Sequence, residues 1–164
     1  MKKTMFIFRL LSISFILLMS CSENQKDTVM EDPDSKADLD ILQSWQGDYP
    51  VNQLNLLPEG QRDQNAGYIG DSESFIKVWN QFKPNSDVPD IDFGNHLVLF
   101  ARNIQYYNRI SIGKVTLTAG VVDILAMETM SALPIEENVA LSLVVVQREG
   151  ITAIQIGNHK IFVK

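Results

Sequence analysis

Val139-Ala140-Leu141-Ser142-Leu143-Val144-Val145-Val146 is the stretch on which the fold turns. Side chains alternate across an extended chain. Val139, Leu141, Leu143 and Val145 therefore take one face, and Ala140, Ser142, Val144 and Val146 the other. Both faces are apolar apart from Ser142. A strand wetted on one side carries a polar residue at every second position; this one does not. It is expected at the centre of a sheet.

The segments around it read the same way. Downstream, Ile151–Ile156 and Lys160–Val163 flank Gly157-Asn158, a hairpin signal. Upstream, Leu97–Ala101 is a continuous apolar run of buried-strand type. Ile110–Thr118 alternates, but its phase slips: Ile110 and Ile112 share one parity, Val115 and Leu117 the other. Gly113 sits at the slip, where a bulge would re-aim the side chains. Ala119-Gly120 makes a turn into Val121–Met127.

One helix is expected. Phe75, Val78, Trp79 and Phe82 fall at i, i+3, i+4 and i+7, so they line one side of a helix. Asp71 or Ser72 can cap its start, and Pro84 stops it. Nearer the N-terminus, Val51–Leu57 lies between Pro50 and Pro58 and reads as an edge strand. Residues 58–67 are polar and rich in turn formers. The expectation is an α+β domain over residues 41–164. It would be a mostly antiparallel sheet of about five to six strands with one amphipathic helix packed on one face.

The first forty residues have a different chemistry. Lys2, Lys3 and Arg9 form a basic start, and Leu10–Met19 an apolar run. Met5–Met19 is fifteen residues interrupted by Arg9, short of the roughly 20 apolar residues a membrane span takes. Residues 1–20 read as a secretory signal. Leu18-Met19-Ser20-Cys21 resembles a bacterial lipoprotein signal, in which the cysteine becomes the lipidated first residue. Cys21 is the only cysteine, so an intramolecular disulfide is excluded. Two or three acyl chains hold a protein on a bilayer where one does not, at about 0.8 kcal/mol per buried methylene. Ser22 after the cysteine resembles the outer-membrane class. The expected location is the bacterial cell envelope, with the membrane as a partner through lipid on Cys21.

Residues 21–40 are acidic and poor in apolar side chains, and read as a flexible tether. Without residues 1–20 the chain keeps 11 basic and 20 acidic residues, a balance of −9. That argues against a nucleic-acid partner, which would want a basic face.

Trp79-x-x-Phe82, Pro89-Asp90-Ile91-Asp92-Phe93, Leu97-Val98-Leu99-Phe100-Ala101 and the ending Ile161-Phe162-Val163-Lys164 resemble the PrcB C-terminal-domain family, named for a component of a bacterial protease complex. These are exported bacterial proteins with a helix followed by a small sheet. The resemblance covers about residues 70–164. It implies binding to, and stabilising or regulating, an envelope protease. It assigns no functional residues.

Catalytic signals are weak. No Gly-x-Ser-x-Gly is present. His96 and His159 have no triad partners beside them and no zinc-ligand spacing. Asp90 with Asp92, and Glu136 with Glu137, are the only carboxylate pairs of interest. Asp92 is expected to cap a turn. No cofactor is called for, and the chain reads as a non-enzyme. The segment Arg102–Arg109 joins two strands and holds Arg102, Asn103, Tyr106, Tyr107, Asn108 and Arg109. Tyrosine and arginine are enriched in binding hot spots, so this loop is the candidate site for an envelope protein partner. The loop around Arg62–Tyr68 has similar chemistry, and Glu128–Ser131 is a candidate to lie close to one of the two. Met127-x-x-Met130 supplies two soft ligands and motivates the alternative, a periplasmic small-ligand or copper-binding protein.

Overall fold

The Val139–Val146 run is the core of β7 (Asn138–Gln147), held between two antiparallel neighbours in the computed structural model. The structure describes residues 35–130 and 133–164. The signal-like segment, Cys21 and the tether as far as residue 34 lie outside the described residues. β7 pairs with β2 (Gln43–Pro50) on one side and β4 (His96–Arg102) on the other, and β4 pairs with β3 (Ala66–Ile69). A second sheet has the order β1 (Lys36–Leu39), β5 (Ile110–Thr118), β6 (Val121–Glu128), β8 (Ala153–Ile156), β9 (His159–Phe162). Its pairs are antiparallel except β6 with β8, which is parallel.

The double-sided apolar pattern of β7 follows from what covers it. Leu141, Leu143 and Val145 pack with α1 (Ser72–Phe82) on one face, among Phe75, Val78, Trp79 and Phe82. Ala140, Val144 and Val146 face the other way, among Ile110, Ile112, Val115, Val122 and Ile154 of the five-stranded sheet. The order of layers is helix, four-stranded sheet, five-stranded sheet. The expected single sheet of five to six strands is thus corrected to two sheets. The helix packs on one face of the four-stranded one.

Local signals account for several boundaries. Asp71 is the N-cap of α1 and accepts a bond from the Ser74 amide at 2.8 Å, satisfying a donor the helix cannot. The helix ends at Phe82, two residues before Pro84. The register of β5 on β6 slips between Ile112 and Lys114, at Gly113. A Cβ at Gly113 would stand 2.7 Å from the end of the exposed Met127 side chain, which would have to swing aside.

Three expectations near the N-terminus are corrected. Val51–Leu56 is a 3-10 helix, and the strand precedes it at Gln43–Pro50. Proline lacks a donor, and Pro50 ends an edge strand and starts the 3-10 turn with φ −63°. Trp45 and Tyr49 face the helix, while Ser44, Gln46 and Asp48 are exposed, so the strand shows little apolar content. Residues 36–39, counted with the tether, form β1 on β5, so the domain begins before residue 41. Ala66 and Gly67, the end of the polar turn segment, open β3 (Ala66–Ile69).

Tyr49 lies fully buried under the 3-10 turn and donates its hydroxyl to the Gln53 carbonyl at 3.0 Å. Burial pushes its pKa from 10.0 up to about 12. The unfolded tyrosine ionises at about 10. Its contribution to stability is therefore complete below pH 10 and is lost as pH rises from 10 toward 12. Melting temperature should fall over that window. Tyr49→Phe should be less stable at pH 8 and show a flatter alkaline fall. Equal alkaline slopes would contradict this.

Sheet edges expose unpaired backbone groups, and two of them carry side-chain caps. The free edge of β3 offers the Tyr68 N–H, which donates to Gln61 Oε1 at 2.7 Å. The free edge of β9 is closed by the Tyr68 hydroxyl, which donates to the Phe162 carbonyl at 3.0 Å and accepts from the Lys164 amide at 3.2 Å. Arg148 adds a bond to the Lys164 carbonyl.

Candidate functional site

Residues 103–109 leave β4 and return as β5, and a buried amide holds the turn. Asn103 is 1% exposed. Its Oδ1 accepts from the Asn108 amide at 3.1 Å and the Ala140 amide at 3.2 Å, and its Nδ2 donates to Glu128 Oε2 at 3.1 Å. One side chain thereby ties the loop to β7 and to the end of β6. Arg102, 5% exposed, donates to the Asn103 carbonyl at 3.0 Å and to the Arg62 carbonyl. Burial lowers its pKa, opposed by the charge of Asp63. These two candidates are therefore buried and hold the loop in place.

The others reach the surface. Tyr106 is 46% exposed and bridges to Pro134. Ile104 beside it is exposed as well. The Tyr107 amide donates to the Leu133 carbonyl at 3.0 Å, and Leu133 is itself exposed. The Arg109 amide donates to Thr129 Oγ1 at 3.0 Å, and the Thr129 amide to the Arg109 carbonyl at 3.0 Å. Asn108 Nδ2 donates to Glu128 Oε2 at 3.3 Å. The expected proximity of Glu128 and Thr129 to this loop is present. Arg62 meets its base through Arg102.

Tyr107 reaches β2, donating its hydroxyl to Asp48 Oδ1 at 2.5 Å. That bond, more than burial, raises the Tyr107 pKa. On one side of it lies a cleft of about 330 Å³ lined by Leu133, Pro134, Glu136 and Glu137. On the other lies a hollow of about 390 Å³ lined by Gln46, Arg109, Ile110 and Ala140. Asp48 and Tyr107 belong to both. The combined trough has three carboxylates and one arginine, with an apolar lip.

Sequence reading missed Asp48, Leu133 and Pro134. Asp48 and Tyr107 are 59 residues apart, and only the pairing of β2 with β7 brings them together. Asp48, Glu136 and Glu137 line the cleft together with the Tyr107 hydroxyl, and no histidine, serine or threonine is among the lining residues. Asp92 accepts from Asn95 Nδ2 at 2.7 Å and from the Gly94 amide at 2.9 Å, which hold its carboxyl below the usual range, the asparagine first. It caps the turn before β4, and its carbonyl lies 3.1 Å from His96 Nδ1.

His96 starts β4 in one sheet and His159 starts β9 in the other, both apart from the trough. Met127 lies over Gly113 on the outer side of β6, and Met130 is fully exposed beyond it. Among the described residues no three His, Cys, Asp or Glu side chains are grouped to hold a metal ion. Comparison with protein-family models, curated proteins and solved structures finds no match to this chain.

Proposed function

We propose that this chain is a non-catalytic binding module of the bacterial cell envelope, lipid-anchored at Cys21, that takes a protein partner at the 104–109 loop. One observation carries the reading. The loop is fastened from below by the buried Asn103 and Arg102, while Ile104 and Tyr106 stand exposed on it and Leu133 beside it. A rigid turn presenting large side chains loses little ordering entropy on binding. Exposed aromatics beside an arginine are the usual anchors of a hot spot. The resemblance to the PrcB C-terminal-domain family suggests an envelope protease complex as the partner. Of its motif residues, Trp79, Phe82 and Leu97–Ala101 are buried while Asp90, Asp92 and Phe162 are exposed, and none lies on the 104–109 loop, so the partner surface rests on the loop.

The test is capture from envelope extracts with the lipidated chain as bait. Wild type should retain a defined partner. Tyr106→Ala with Ile104→Asp should lose it at unchanged melting temperature. These substitutions are expected to weaken binding at least about tenfold, since a hot-spot residue accounts for about 2 kcal/mol or more. The same partners on wild type and variant would remove the loop from the function.

A further inference from the structure

The edge of β2 is built differently from the other capped edges. The Val51 amide donates to the Glu137 carbonyl at 2.9 Å, and Val51 and Glu137 continue the register of β2 on β7. Odd-numbered residues of β2 therefore aim their backbone groups at β7. Ser44, Gln46 and Asp48 aim theirs away from the sheet, two residues apart, as a strand partner requires. Among the described residues only one of these groups is covered: Lys83 Nζ donates to the Gln46 carbonyl at 2.8 Å. Gly47 makes room for this lysine, because a Cβ there would stand 2.8 Å from Nζ.

We propose that β2 is a strand-addition edge for an extended peptide carrying a basic side chain. This names the partner class for the binding module above and rests on that reading. Main-chain bonds to Ser44, Gln46 and Asp48 supply pairing, and side-chain pockets supply selectivity. The pocket is the cleft beside the edge, where Asp48, Glu136 and Glu137 line the seat for a lysine or arginine of the peptide, while Arg109 lines the neighbouring hollow. Lys83 is the latch: it leaves the Gln46 carbonyl when a peptide amide arrives. A second copy of this chain is the poorer occupant. Two-fold pairing of β2 with β2 would bring both Lys83 ammonium groups together at the Gln46 carbonyls, and like charges across a strand pair are destabilising.

The probe is a synthetic eight-residue peptide alternating threonine and valine, with one central lysine, and its counterpart with glutamate. Amide exchange of the full chain is followed by NMR. The lysine peptide should slow exchange at Ser44, Gln46 and Asp48 by at least about tenfold, and the glutamate peptide should do less. Lys83→Ala should strengthen the effect. Gln46→Pro removes an outward N–H that β7 does not use, so it should abolish the effect while the domain still melts cooperatively. Should Gln46→Pro unfold, Lys83→Ala alone decides. Unchanged exchange at all three amides with millimolar lysine peptide, in wild type and Lys83→Ala, overturns the proposal. It does so even if the Tyr106 and Ile104 variant loses its envelope partner, which would leave the loop as the binding surface on its own.

Discussion

Replacing Trp79 by alanine is expected to destabilise the domain by about 3–5 kcal/mol, the range for emptying a buried aromatic site. Trp79 is 3% exposed and stands at the middle of a ring cluster. Its centroid is 5.1 Å from that of Trp45, 5.6 Å from Phe75 and 6.0 Å from Phe82, with the first and last contacts edge-on. Edge-to-face contacts of this kind add about 0.5–1.5 kcal/mol each beyond area burial. Since domains hold only about 5–15 kcal/mol in total, a large share of stability depends on one ring. Ile76, on the outer side of the same helix, is the control: Ile76→Ala should change stability by less than about 0.5 kcal/mol. Urea denaturation of both variants measures the contrast. Similar midpoints for the two would refute the helix packing described.

The second large effect is expected at Asn103. Asn103→Ala strands the amides of Asn108 and Ala140, and a buried donor left without a partner costs about 1–3 kcal/mol. The loop should loosen with it, so partner capture should fall together with stability. Asn103→Asp separates the causes. A carboxylate keeps both amide bonds but sets a negative charge against Glu128, whose Oε2 lies 3.1 Å from Nδ2 in the wild type. That variant should be destabilised at neutral pH and recover with Glu128→Gln, which restores a donor opposite the new carboxylate. Thermal melts of the single and double variants give the coupling. No recovery in the double variant would place the cost elsewhere.

The parts of this fold that are legible in the sequence are those whose pattern has a local cause. The helix face of Phe75, Val78, Trp79 and Phe82, the cap at Asp71, the slip at Gly113 and the turn at Gly157-Asn158 each need only neighbouring residues to define them. The pattern of β7 announces cover on both sides, but not by what. An apolar pattern is the same whether a helix or a second sheet provides the cover, so two sheets read as one. β2 escapes notice because at an edge only Trp45 and Tyr49 need be apolar, and Gly47 between them interrupts the alternation. At the candidate site, Tyr106 and Tyr107 are recognisable by type. The inward aim of Arg102 and Asn103 is not, since nothing in the sequence says which end of a polar loop lies against the chain that follows β6.

The path of the chain between the layers has a consequence for biosynthesis. β2 pairs with β7 alone, and β4 reaches a neighbour on its inner side only through β7. A nascent chain that has emerged as far as residue 130 holds β4 but lacks the strand that joins it to β2. Closing so distant a pair is slow, because the intervening loop must be confined before any contact rewards it. The four-stranded sheet therefore cannot close until β7 has been made, which suits the passage through a narrow pore that the proposed export requires.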